Sequence, residues 1–594
     1  MNIPPLHDFT FFPVFRRWWE SRKILIEWTI ILVAAYLYAG TGLLNITSEQ
    51  LLQEGGEHNE ISNFSILAEI GLNRYGEVPL WNPYSMTGIP FVEDPLAHFW
   101  HPTSLLFIML FGGINGMKVS AFFAFLLAGI GQWLFAHVFG VRGFSRLWSA
   151  LIFMFSGGLA FFWAYGWYQL LLGFVWFPWC FAALWWTLRR RDWTSIVLTA
   201  LTIMMALTTG NGYSPLYLLG SLGVLTLLFL FLSSPSKRRV RFLRAVCVAT
   251  ISAGLLAVVF LPVFHGYPLF NRWGSDDPGQ GFSLPIPYEV FQYSISDRSW
   301  EGADVLGLDG GGWKWFYIGA SALVAAFCLA PLTLVRDRRR RLPLIAAGLL
   351  TLAILAWAGN KYTPVHYIYE LIPFLYNFRF PNRLLVIAAS PLLVVAGLGW
   401  QGLYRYVRQW GRAHSPSGGL KVESEERAIK LSIPLWGLLS FILIAVMAAS
   451  IVDVYDVNKA FAFRAGESVD HTLENSLSWL KGHDHGLYYT QIGEGESYPP
   501  GVSIAYRYEM PLINFDYTRE LLAWYRQHLN DVPFIAMPKY YVATPAIGTL
   551  PLPLPANAQK IYGGPGSYDI WYAPDALPAA FSAPPAQLQA GAKL

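Results

Sequence analysis

Charged residues are few in this chain. Of its 594 residues only 13% are Asp, Glu, Lys or Arg, against about a quarter in a soluble domain. That shortage excludes a water-soluble globule of this length, which would need far more charged surface. Cysteine is scarcer still: Cys180, Cys247 and Cys328 all lie in apolar runs, with no CxxC and no Cys/His spacing. A disulfide framework and a structural zinc site are thereby excluded, and the three thiols read as small buried apolar groups. No glycine-rich phosphate cradle occurs in the arginine-bearing loops, so no nucleotide site is expected there. The opening residues, MNIPPLHDFTFFPVFRRWWE, lack the apolar core and cleavage site of a removable signal, so the first apolar run is expected to stay.

What the chain does have is hydrophobic length, at 54% of residues. Apolar stretches of roughly 18 or more residues recur, the length a helix needs to cross hydrocarbon. The pattern predicts spans near 24–44, 117–139, 145–165, 168–188, 194–210, 214–233, 243–264, 314–335, 342–358, 384–404 and 432–453. The net charge of +4 matters less than where the basic residues lie. Arg16, Arg17, Arg22 and Lys23 put the N-terminus inside, and alternation then puts Arg142/Arg146, Arg189–Arg191, Lys237–Arg244, Arg336–Arg341 and Arg405–Lys430 inside too. Segment 103–113, TSLLFIMLFGG, is too short to span, and a crossing there would reverse every later arginine loop; it reads as an amphipathic or interfacial helix. The expected architecture is a multi-pass α-helical membrane domain over 1–453 with about eleven spans, followed by a small extracytoplasmic α/β domain over 454–594. In that tail YYVATP, KIYGG and YDIWYAP read as strands, and the end after Ser582 as a loose Ala/Pro stretch.

Loops 45–116, 266–313 and 359–383 then fall outside and carry the polar interest. The first holds Glu54, Glu57, His58 and Glu60, then a helical apolar pattern from Ile61 to Leu72. A carboxylate fixed there suits a general base for an incoming hydroxyl, though acids in such loops are more often simply solvated. Next comes GEVPLWNPYSMTGIPFVEDPLAHFWHP (76–102), with Trp81, Asn82, Glu93, Asp94, His98 and His101 as candidates for contacts to sugar hydroxyls. Acid–Pro turns also commonly bond only their own backbone. The third loop carries Lys361, His366, Arg379 and Arg383; the two arginines precede a span entering from outside, where the positive-inside rule disfavours them. A planar guanidinium grips phosphate oxygens by paired bonds, so they suit a lipid phosphate, with snorkelling to ordinary headgroups as the plain alternative. Asp276 and Asp277 read as a solvated turn, and TTGNGYSP (208–215) as a short outer turn in which Gly210 and Gly212 let a ligand come close to backbone, with a plain tight hairpin as the equal alternative. The acid/His mixture has no repeated ligand spacing, so no metal site or cofactor is identified; a divalent cation is compatible with the chemistry but has no ligand pattern behind it. No nucleic-acid partner is expected.

PLWNPYSMTGIPF with Pro95–Pro102, then LPVFHGYPL, FRFPNRLL, KYYVATP and YDIWYAPDALPAAF, together resemble the YfhO family of bacterial membrane proteins, itself similar in architecture to the GT-C glycosyltransferases. The resemblance covers most of the chain. It implies a transferase using a polyprenyl-phosphate-linked sugar on the outer face of the bacterial cytoplasmic membrane, with an envelope glycan or lipid as acceptor. It implies a catalytic carboxylate shortly after the first span, where Gly56–Glu57 stands with Glu for the family's Asp, and it aligns Asp94 with a family Asn. On this reading Glu57 and Asp94 are catalytic, Arg379, Arg383 and Lys361 hold the donor phosphate, and His58, His98, His101, Trp81 and Asn82 bind substrate. The transfer would be inverting. Two rivals stand beside it: a transporter or flippase of a lipid-linked glycan, against which the nearly uncharged spans and the lack of a repeat weigh, and a non-catalytic sugar-binding scaffold.

Overall fold

Apolar helices account for most of the structure, a computed structural model that describes residues 11–46, 58–82, 89–94, 96–190, 192–266, 317–337, 340–372, 375, 381–414, 435–463, 471–484, 490–493, 539–543, 554, 556–563 and 568–574. Among these residues nine helices are long and apolar enough to cross a membrane. The spans expected at 194–210 and 314–335 fall on shorter apolar helices, Trp193–Leu207 and Ala320–Val335. At 1.5 Å per residue these reach about 22–24 Å, short of a hydrocarbon core of about 30 Å.

In chain order the helices are α1 (Phe11–Ala35), which continues through one π turn, α2 (His58–Glu69), α3 (Pro102–Phe111), α4 (Gly113–Val138), α5 (Phe144–Met154), α6 (Gly157–Ala164), α7 (Tyr168–Phe174), α8 (Phe177–Arg189), α9 (Trp193–Leu207), α10 (Tyr213–Phe231) and α11 (Pro235–Gly266). From residue 320 on come α12 (Ala320–Val335), α13 (Arg341–Gly359), α14 (His366–Leu371), α15 (Leu384–His414), α16 (Leu435–Ala462) and α17 (His471–His483). Helix α16 therefore runs past residue 453, where the sequence reading ends the membrane domain.

Two of the spanning segments are broken, and lipid cannot satisfy the backbone groups a break frees. Between α5 and α6 the protein does so itself: Asn458 Nδ2 donates to the Phe155 carbonyl at 2.8 Å, and the Gly157 N–H donates to the Tyr317 carbonyl at 3.0 Å. Helices α4, α5 and α15 are joined by a buried amide: Gln132 Nε2 donates to Ser149 Oγ (2.9 Å) and the Ser390 carbonyl (3.0 Å), and Ser390 Oγ donates back to Gln132 Oε1 (2.7 Å). Such interhelical bonds stabilise membrane bundles by about 0.6 kcal/mol each.

One end of the bundle gathers arginines. Arg142 lies within electrostatic reach of Arg146 and Arg340, and Arg405 within reach of Arg340. Arg146 pairs with Glu27 at 2.7 Å and lies 4.2 Å from the centre of the Trp133 ring. Arg244 closes the α8–α9 turn by donating to the Thr187 and Asp192 carbonyls and to Ser195 Oγ.

The other end carries the loops. Helix α3 matches the short segment 103–113, but it is apolar all round rather than amphipathic: Leu106, Met109 and Leu110 are exposed while Ser104 and Ile108 are buried. A second apolar core lies at this end. Ile66, Leu67 and Ala68 of α2 share it with Phe91, Phe99 and Ile108, and with Leu477, Leu480, Tyr540, Val542 and Ile570 from the C-terminal part of the chain. There, β1 (Thr490–Gly493), β2 (Tyr540–Ala543), β3 (Gln559–Tyr562) and β4 (Asp569–Tyr572) form one sheet in the order β1-β2-β4-β3, with β1 parallel to β2 and the other pairs antiparallel. Three of its strands fall on YYVATP, KIYGG and YDIWYAP.

Candidate functional site

The segment 76–102 folds as a hairpin and a series of turns. Trp81 pairs with Pro90 and Asn82 with Ile89; Asn82 is buried and Trp81 exposed. The Phe91 ring stacks on Phe64 of α2 at 5.5 Å and on Phe99 at 4.5 Å. Asp94 Oδ1 accepts the Leu96 N–H at 2.9 Å, an acid turned back on its own loop. Its neighbour Glu93 instead faces His265 Nδ1 at 3.0 Å, at the C-terminal end of α11. Position 93 thus ties the first long loop to the start of the second. The sequence offered no sign of that link.

His98 and His101 are wholly enclosed. His98 Nε2 lies 2.8 Å from Ser65 Oγ of α2, and its ring meets Tyr168 edge-on at 4.9 Å. His101 Nδ1 lies 2.7 Å from Thr103 Oγ1. Burial lowers both imidazoles from the usual value to about 3, with each other's proximity adding to the effect at His98 and the Met205 backbone opposing it at His101. Both rings are therefore neutral at pH 7. They sit inside the wall of the site. Below them Tyr168 Oη and Ser104 Oγ are 2.9 Å apart.

Two turns of the bundle press on this loop. Gly210 has φ +71°, and an added Cβ would lie 2.7 Å from the His98 nitrogen and the Leu96 oxygen. The space beside Gly210 is thus filled by the protein's own backbone at 96–98. Asn211 fixes the turn: its Nδ2 donates to the Gln169 carbonyl (3.0 Å) and its Oδ1 accepts the Ser214 N–H (2.7 Å). Tyr213, the first residue of α10, then reaches Arg383. The Arg383 guanidinium carbon lies 4.4 Å from the Tyr213 ring centre and 4.0 Å from that of Trp167. Arg383 is 6% exposed and ends the short helical turn Pro381–Arg383 that opens α15. Trp357 of α13 packs against Tyr217 at 5.6 Å and donates to Tyr369 Oη at 2.9 Å.

The structure therefore brings together loop 91–101, the turns at 165–169 and 208–213, and Arg383, segments almost three hundred residues apart in sequence. Glu57 and Arg379 lie outside the described residues, as do Asp276 and Asp277. The described part resumes at His58, the first residue of α2, and Lys361 lies in the turn Asn360–Tyr362 after α13; neither side chain is described. Sequence reasoning missed Trp167 and Tyr213. Their only signal was that aromatic residues cluster where spans meet the interface.

With this geometry in hand, solved structures give the fold a context. The chain is similar to the arabinofuranosyltransferase AftD from Mycobacteria at 12% identity and a TM-score of 0.53, over 95% of this chain and 40% of that one. It is similar to ArnT from Cupriavidus metallidurans, solved bound to undecaprenyl phosphate, at 11% identity and a TM-score of 0.50, over 93% of this chain and 99% of that one. The Archaeoglobus fulgidus oligosaccharyltransferase in its apo form matches at 12% identity and a TM-score of 0.52, over 88% and 69%. The chain thus spans less than half the length of AftD and nearly all of ArnT. No family model matches the chain, and no curated protein matches it in sequence. The likeness is one of fold: a multi-pass helical membrane protein of GT-C-like architecture.

Proposed function

We propose that the protein is a membrane glycosyltransferase that moves a sugar from a polyprenyl-phosphate donor to an acceptor glycan or lipid on the outer face of the bacterial cytoplasmic membrane. The observation that carries this reading is Arg383: a buried guanidinium whose carbon lies 4.0 Å from the centre of the Trp167 ring and 4.4 Å from that of Tyr213, at the opening of α15 in a GT-C-like bundle. The fold shared with the arabinofuranosyltransferase AftD and with ArnT, solved bound to undecaprenyl phosphate, supports it, and so do the motifs that resemble the YfhO family.

In this reading Arg383, Arg379 and Lys361 hold the donor phosphate. Glu57, one residue before α2, takes the proton of the acceptor hydroxyl as its oxygen attacks the anomeric carbon. The bond from that carbon to the phosphate oxygen breaks, and the phosphate leaves with the electron pair, so no general acid is required and the main electrostatic task is to stabilise the departing charge. Asp94 supports its loop through the bond to the Leu96 N–H. The Ser65–His98 contact and the bond from the Gly113 N–H to Glu69 Oε2 (2.6 Å) fix α2 at two points, and so fix where its first turn begins.

The test is transfer of radiolabelled sugar from a polyprenyl-phosphate donor by purified protein. The wild type is expected to transfer and Glu57→Gln to lose at least about 100-fold, the usual contribution of a general base. Full activity in Glu57→Gln would remove the assigned base, and no transfer by the wild type with any such donor would remove the reading.

A further inference from the structure

We infer that Trp167 and Tyr213 are positioning residues: they hold the Arg383 guanidinium so that its N–H edge meets a lipid phosphate, and Asn211 locks the two rings in register. The inference rests on the proposed function and says how its phosphate contact is built.

A guanidinium has a flat face and five N–H donors confined to its plane. At Arg383 the rings of Trp167 and Tyr213 lie 4.0 and 4.4 Å from the guanidinium carbon, close enough for the ring quadrupoles to stabilise the charge in a nearly dry setting. Donors confined to one plane suit paired bonds to phosphate oxygens. A lysine at the same place would carry the charge but could not offer paired donors in one plane.

The two rings come from different turns, Trp167 just before α7 and Tyr213 at the start of α10. One side chain joins them. Asn211 donates to the carbonyl of Gln169, two residues beyond Trp167, and accepts the N–H of Ser214, the residue after Tyr213. Asn211 is itself buried. The small residue at Gly173 makes room for this junction, since a Cβ there would lie 2.5 Å from Ser214 Oγ and 2.9 Å from Asn211 Nδ2. The niche is thus built by the fold and does not depend on a ligand to assemble.

The experiment measures binding of undecaprenyl phosphate, and of uncharged undecaprenol as the control, to the full chain in nanodiscs. Trp167→Leu is expected to weaken undecaprenyl phosphate about ten-fold, the equivalent of one desolvated cation–π contact, and to leave undecaprenol unchanged. Trp167→Phe, which restores a ring, is expected to recover most of the loss. Tyr213→Leu gives an independent reading should Trp167→Leu fail to fold, and Arg383→Lys should lose about as much as either. Wild-type binding that Trp167→Leu and Tyr213→Leu leave intact would overturn the inference alone, as would equal weakening of both lipids. Wild type that does not prefer the phosphate to the alcohol would overturn both this inference and the function it rests on.

Discussion

At the scale of single residues, neighbours in one turn do different things. Asp94 bonds its own loop while Glu93 reaches His265 across the gap to α11. The sequence motif VEDP does not say which acid turns inward; the turn geometry does. The paired histidines give a pH prediction with a definite sign. Their folded values, lowered to about 3, lie below the unfolded value of about 6.5. Between those limits the unfolded chain binds more protons, so stability is present above pH 6.5 and falls as the pH drops toward 3. Thermal unfolding in detergent across pH 4–8 should show that decline, and His98→Gln should flatten it. Gly210 gives a second prediction. Its positive φ and the 2.7 Å approach to the 96–98 backbone leave no space for a side chain. Gly210→Ala is expected to destabilise by about 1–3 kcal/mol, read as a lower melting midpoint and weaker sugar transfer.

At the scale of elements, apolar helices are straightforward to read and their interruptions are not. Composition marks the run from Phe144 to Ala164 as one span, yet it breaks between Met154 and Gly157. The break survives in an apolar setting because Asn458, three hundred residues away, donates to the Phe155 carbonyl. Asn458→Leu would leave that carbonyl without this donor, at a cost of about 1–3 kcal/mol. Loss of thermal stability of that size, with Asn458→Gln milder, is the expected result; an unchanged midpoint would show that the carbonyl finds another partner. Helix α3 makes the same point in reverse: its length excluded a crossing, but only the packing revealed that its exposed side is apolar and its buried side holds Ser104.

At the scale of the whole molecule there are two apolar cores, one within the spans and one joining α2, the 91–108 segment and the C-terminal sheet. The orientation expected from the arginine loops puts that second core outside. Cysteine labelling tests it. In a cysteine-free background Gly482→Cys is easily accommodated, because nothing lies within 4 Å of its Cβ, and it should react with an impermeant maleimide on intact spheroplasts. Lys237→Cys, on the exposed start of α11, should react only after the membrane is opened. The reverse pattern would invert the topology and place Arg383 on the cytoplasmic side.

The residues by themselves determined the fold class, where most spans lie and three strands of the C-terminal sheet. These follow from composition and local period, which act over a turn or two of chain. They also marked 91–102, TTGNGYSP and Arg383 as unusual. What only tertiary structure decided is which of these meet: that Gly210 presses on His98, that His98 and His101 are sealed inside the wall, and that Arg383 rests against Trp167 and Tyr213. A contact between residues far apart along the chain has no local period to betray it. It depends on how whole helices pack, and so on every side chain between them at once.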